Sequence, residues 1–147
     1  MGDSLTGVGT VVCEWSMSYT MVSRSLPLIR LHIRRRLTLW CWRGDVEDAV
    51  LVGSELATNA IHHGRIVGHT MLVRLALLED GALCVDVSDP VPAFPNFGEG
   101  LRSGGEDECG RGLHLVRGVG GAVFWFLRDG VGKTVRVRLP GGAPPVG

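Results

Sequence analysis

Two hairpin signatures narrow the fold more than any other feature of the chain. "MLVRLALL" and "ALCVDVSD" flank Glu79-Asp80-Gly81, a turn tripeptide between two runs of strand-forming residues. In the second run Leu83, Val85 and Val87 alternate with Cys84, Asp86 and Ser88, which gives one apolar face and one mixed face. "AVFWFL" and "TVRVRLP" repeat the arrangement across "RDGVGK". There Val135, Val137 and Leu139 share one face, and Thr134, Arg136 and Arg138 the other. Short turns between such runs dictate a mostly antiparallel sheet, whose apolar face must be covered.

The cover is helical. In "SLPLIRLHIRRRLTLW", Ile29, Ile33, Leu37 and Trp40 recur at helical spacing with arginines opposite, and Pro27 suits the first turn. "CWRG" ends this helix. Asp45 with Asp48 three residues on predicts a helix start of the capping-box kind, with Asp in the usual Glu position. The second helix then runs to Gly64, read as its stop signal. Its second half, "SELATNAIHHG", carries Glu55, Asn59 and His63 four residues apart, one leaning polar row on a helix whose Leu56, Ala57, Ala60 and Ile61 belong in a core. His63 suits the negative end of the helix dipole. A third, shorter helix is expected within "GRGLHLVRGVGG". The fold class is therefore α+β: a two-layer sandwich with helices on one face of a mostly antiparallel sheet.

Residues 90–109, "PVPAFPNFGEGLRSGGEDEC", break every pattern, and a long segment of this kind inside a compact domain is often a functional lid. Residues 1–19 read as an N-terminal extension or an edge strand, 20–140 as one domain, and 141–147 as a tail. A chain of 147 residues suits a single core. Formal charge is zero, so no global field draws nucleic acid or an anionic membrane, and no apolar run reaches the roughly 18 residues of a membrane span. Cys13, Cys41, Cys84 and Cys109 form no C-x-x-C pair, and reduced thiols in the cytoplasm are the simplest expectation. Lys133 is the single lysine among 15 basic residues.

Three segments match what a nucleotide requires. "CGRGLHL" offers glycines before a helix, where backbone N–H groups approach phosphates. Asn59 has an amide oxygen, a hard ligand of the kind magnesium takes, and Glu55 one turn earlier is a carboxylate able to accept a proton from an attacking hydroxyl or water. Asp89, at the end of a strand, is an acceptor for an adenine amino group.

The order of these segments resembles the ATP-binding domain shared by gyrase, bacterial histidine kinases and their relatives, the GHKL or Bergerat fold. More narrowly it is similar to the small stand-alone serine/threonine kinases that act as bacterial anti-sigma factors. "ELATNAIHHG" resembles the family's N box, "VDVSDP" its first glycine-box region, "GRGLHLV" its second glycine box and "GKTVRVRLP" its terminal strand. The resemblance implies ATP and magnesium as cofactors, with Glu55 catalytic and Asn59 holding the metal. It places Asp89 on the adenine amino group, Gly110, Arg111, Gly112 and Leu113 at the phosphates, and Thr134 in support of adenine through Asp89 or a water. Two glycines usual after the aspartate are absent, and Asp89 is followed by Pro90, Val91, Pro92 and Ala93. The implied partner is an anti-sigma factor antagonist, with a sigma factor as a second candidate and homodimerisation left open. Two alternatives stand beside the kinase: a module that binds ATP or sequesters a partner without catalysis, and an ATPase with no protein acceptor.

Overall fold

The computed structural model describes residues 9–92, 118–128 and 132–142. Five strands form one antiparallel sheet: β1 (Val11–Thr20), β2 (Thr70–Leu78), β3 (Leu83–Asp89), β4 (Ala122–Arg128) and β5 (Gly132–Leu139). Their order is β1-β2-β3-β5-β4, so the last strand is inserted beside β3 and β4 is left at the edge. Both hairpins expected from the sequence are present. The N-terminal run is the other edge, pairing Tyr19 with Met71 and Trp15 with Leu75.

Alternation decides which side of the sheet is the core. Met71, Val73 and Leu75 of β2, Val85 and Val87 of β3, and Val135 and Val137 of β5 all face the helices and are buried. Helix α1 (Ser25–Leu39) contributes Ile29, Ile33 and Leu37, each fully buried; Trp40, expected in the same stripe, caps the helix and packs at the margin of the core. Helix α2 (Val46–His63) lies across β3, with α1 packed mainly on α2. The side chain of Asp45 accepts a hydrogen bond from the Asp48 backbone N–H at 3.0 Å, which fixes the start of α2 where the sequence places it. Between the helices, the Trp42 indole N–H donates to the Gly81 carbonyl at 2.8 Å, tying the connection to the β2–β3 turn. Most of the third expected helix falls outside the described residues, and of its segment Gly118 is helical. Among the described residues no helix is long and apolar enough to cross a membrane.

The other face of the sheet is polar at its centre. Arg136 of β5 donates two hydrogen bonds to Asp86 of β3, both at 2.8 Å, and Arg74 of β2 reaches the same carboxylate at 3.5 Å. The Arg136 guanidinium also lies 4.9 Å from the centre of the Phe126 ring.

Candidate functional site

The candidate site lies where the C-terminal half of α2 meets the last residues of β3 and the first of β5. Asp89, on the helix-facing side of β3, is 2% exposed. Its Oδ1 accepts from the Val91 backbone N–H at 2.8 Å, an Asx turn that shapes the exit from the strand. The Lys133 ammonium donates to the same carboxylate, 3.0 Å from Oδ1 and 2.9 Å from Oδ2, and to the Val91 carbonyl at 3.1 Å. Burial raises the Asp89 pKa; the Lys133 ammonium and the Val91 N–H pull it down without cancelling that effect.

Across the cleft stands Asn59. Its Nδ2 is buried without a hydrogen-bond partner, which is unusual for an interior amide. Asn59 and Asp89, separated by 30 positions in the chain, line one cavity together with Leu56, Val87 and Lys133. That cavity measures about 10 Å³, scarcely room for one water. Glu55 sits one turn earlier on α2, half-buried, about 6 Å along the helix axis from Asn59 by the rise per residue. Its carboxylate has no ion-pair partner among the described residues. A larger cavity of about 380 Å³ lies at the opposite end of β3, by Trp42 and Gly81, lined in part by Glu79 and Asp80 and away from the polar row.

Two glycines allow the approach. Gly64, after α2, has φ −124°, which any residue adopts, but a Cβ there would lie 2.3 Å from the Asp89 carboxyl carbon. It ends the helix beside a carboxylate that needs the space, and the left-handed cap expected of a stop glycine is not formed. Gly132 has φ +123°, and its Cβ would lie 1.9 Å from the Asp89 carbonyl oxygen.

The structure thus brings Asn59 and Asp89 to one cleft, with Glu55 one turn earlier on α2. It places Thr134 elsewhere. The β3–β5 register sets Ser88 opposite Thr134 and Asp89 opposite Lys133, and the Thr134 hydroxyl pairs with that of Ser88 at 2.7 Å on the other face of the sheet. Alternation along β5 turns Thr134 away from Asp89 and gives Lys133 the position beside that carboxylate. The hairpin pattern of the sequence assigns Lys133 to the turn "RDGVGK", whereas β5 begins at Gly132. Extending the Val135, Val137, Leu139 alternation back by one step would have found it. Gly110, Arg111, Gly112 and Leu113 lie outside the described residues.

A helix carrying an Asn–Glu pair, laid over an antiparallel sheet with a buried carboxylate at a strand end, is the architecture of a histidine kinase-like ATPase domain. The chain belongs to the histidine kinase-like ATPase domain family, whose pattern matches residues 25–139. Among solved structures, the RsbU and RsbW domains of Rv1364c from Mycobacterium tuberculosis share its fold, with a TM-score of 0.66 and 18% identity over 90% of this chain and 34% of that one. Two structures of the blue-light activated histidine kinase of Erythrobacter litoralis EL346 also match. The histidine kinase domain has a TM-score of 0.47 and 22% identity over 65% of this chain and 44% of that one. The other structure has a TM-score of 0.47 and 25% identity over 67% of this chain and 32% of that one. The chain therefore spans less than half the length of each of these three solved chains. No curated protein matches it.

Proposed function

We propose that the protein binds ATP and transfers its γ-phosphate to a serine or threonine of a partner protein, an anti-sigma factor antagonist. The observation that carries this reading is the meeting of Asn59, its amide nitrogen buried and unpaired, with Asp89 in one cleft of a histidine kinase-like ATPase domain. Asp89 accepts a hydrogen bond from the adenine amino group. The glycine-flanked segment Gly110–Arg111–Gly112–Leu113 takes the phosphates through backbone N–H groups. Asn59 offers a carboxamide oxygen to magnesium, which draws most of its remaining ligands from phosphate and water, so one hard oxygen from the chain suits it. In the transfer, the partner's hydroxyl oxygen bonds to the γ-phosphorus as the bond from that phosphorus to the β–γ bridging oxygen breaks. ADP leaves, and the hydroxyl proton passes to Glu55.

The test is incubation with γ-labelled ATP and a candidate antagonist. Label is expected on the partner with the native protein, and none with Glu55→Gln, which keeps nucleotide uptake. Labelling at the native rate by Glu55→Gln removes Glu55 from the chemistry.

A second reading has its own support. The cleft is small and the Asp89 carboxylate is already paired with Lys133, as in a module that sequesters a partner without turning over nucleotide. A stable unlabelled complex in the same assay favours it.

A further inference from the structure

The cleft that the proposed function needs is filled from within. Small-molecule sites take roughly 300–1,000 Å³, and the cavity that Asn59, Asp89 and Lys133 line among the described residues is about 10 Å³. The occupant is Lys133, 1% exposed, whose ammonium lies on both oxygens of Asp89. An exocyclic amino group needs a lone pair of that carboxylate; the ammonium takes one on each oxygen and the Val91 N–H a second on Oδ1, so an incoming amino group must share Oδ2 with the ammonium. The chemistry of Asn59 and Asp89 fits a nucleotide, and the ammonium seated on the carboxylate stands in its way.

We propose that Lys133 is a built-in competitor for the base-reading carboxylate, so that a nucleotide enters only when the ammonium leaves Asp89. The inference rests on the nucleotide reading above and adds a control to it. A purely structural role for the pair is the poorer account. The neighbouring rungs of the same ladder on the same face are Val87 opposite Val135 and Val85 opposite Val137, well-packed and apolar. A buried ion pair is no more stabilising than apolar side chains of similar volume, so the fold does not require Asp and Lys at the end of this ladder. The second sign is Asn59, which lines the same closed space and whose buried Nδ2 has no hydrogen-bond partner among the described residues. Local rules broken together at one spot mark a functional site. The lysine acts through the fraction of molecules in which the carboxylate is free: if that fraction is one in ten or less, apparent affinity falls at least tenfold.

Lys133→Thr tests this. Threonine is short, suits a strand and keeps a hydroxyl donor near Asp89. In calorimetric titrations of the whole chain with ATP and magnesium, Lys133→Thr is expected to bind at least tenfold more tightly than the native protein. Affinity in the folded variant equal to or weaker than native overturns the proposal. A second measurement needs no substitution. Because Lys133 is the only lysine, ¹⁵Nζ-lysine labelling gives one ammonium signal. That signal is expected to be protected from water in the free protein, and to move and exchange rapidly as ATP and magnesium are added. An unmoved signal at millimolar ATP overturns the proposal even if Lys133→Thr does not fold. The two levels separate cleanly: native uptake with an unmoved lysine signal sinks the role of Lys133 alone, whereas no uptake by either protein sinks the nucleotide reading with it.

Discussion

Gly64 and Asp89 share one volume: a methyl group on the glycine would sit 2.3 Å from the carboxyl carbon. Asp89 cannot swing away freely, because Lys133 and the Val91 N–H hold it. Gly64→Ala is therefore expected to lower stability by about 1–3 kcal/mol through overpacking, measured by urea unfolding. The backbone at Gly64 is ordinary, so a change near zero would mean that Asp89 has another place to go.

On the opposite face of the sheet, Arg136 and Asp86 form a buried two-bond pair. Removing one partner strands the other. Arg136→Met is expected to cost about 3–5 kcal/mol, because the Asp86 carboxylate stays buried with only Arg74, at 3.5 Å, still near it. Adding Asp86→Val in the same chain removes the stranded charge and is expected to restore most of the loss. Unfolding free energies of the two single variants and the double variant close the cycle; simple additivity would contradict the pairing.

The cysteines differ in the same physical terms. Cys41 is exposed, whereas Cys84 is fully buried in β3 and its thiol pKa is pushed up to about 11, by burial first and the Asp86 charge second. Against an ordinary thiol, that leaves Cys84 roughly 100-fold less thiolate at neutral pH, before access is counted. Brief iodoacetamide treatment of the native protein, followed by peptide mass spectrometry, is expected to find Cys41 alkylated and Cys84 intact. Equal labelling would require a sheet that opens on the timescale of the reaction.

Most of the fold was legible because its signals are local. Asp80–Gly81 marks a turn, Ile29, Ile33 and Leu37 recur at helical spacing, and the valines of β3 and β5 alternate; each is a property of a few neighbouring residues. Glu55 and Asn59 were legible for the same reason, being one turn apart on one helix. The partners of Asp89 were not. Lys133 meets it across 44 positions, through a register that no local pattern fixes, and Gly64 meets it across the gap between the layers. Thr134 stands a single step of alternation from Lys133, and one step in a strand reverses the face.

Acid should act on the site with a definite sign. Burial raises the pKa of Asp89 in the folded protein above the ordinary 3.8, despite the lysine. Between 3.8 and that raised value the folded state therefore binds more protons at this position than the unfolded state does. Where the native state holds the extra proton, stability falls as pH rises. The contribution of Asp89 is fully present below the unfolded pKa and is lost as pH climbs through the folded one. Asp89→Asn cannot titrate, so the difference between native protein and variant isolates the effect from other carboxylates. Urea unfolding at steps from pH 3.5 to 7 is expected to show the native protein losing stability relative to Asp89→Asn as pH increases. The opposite slope would mean that the Lys133 ammonium outweighs burial, and would make the pair a stabilising element of the fold in its own right.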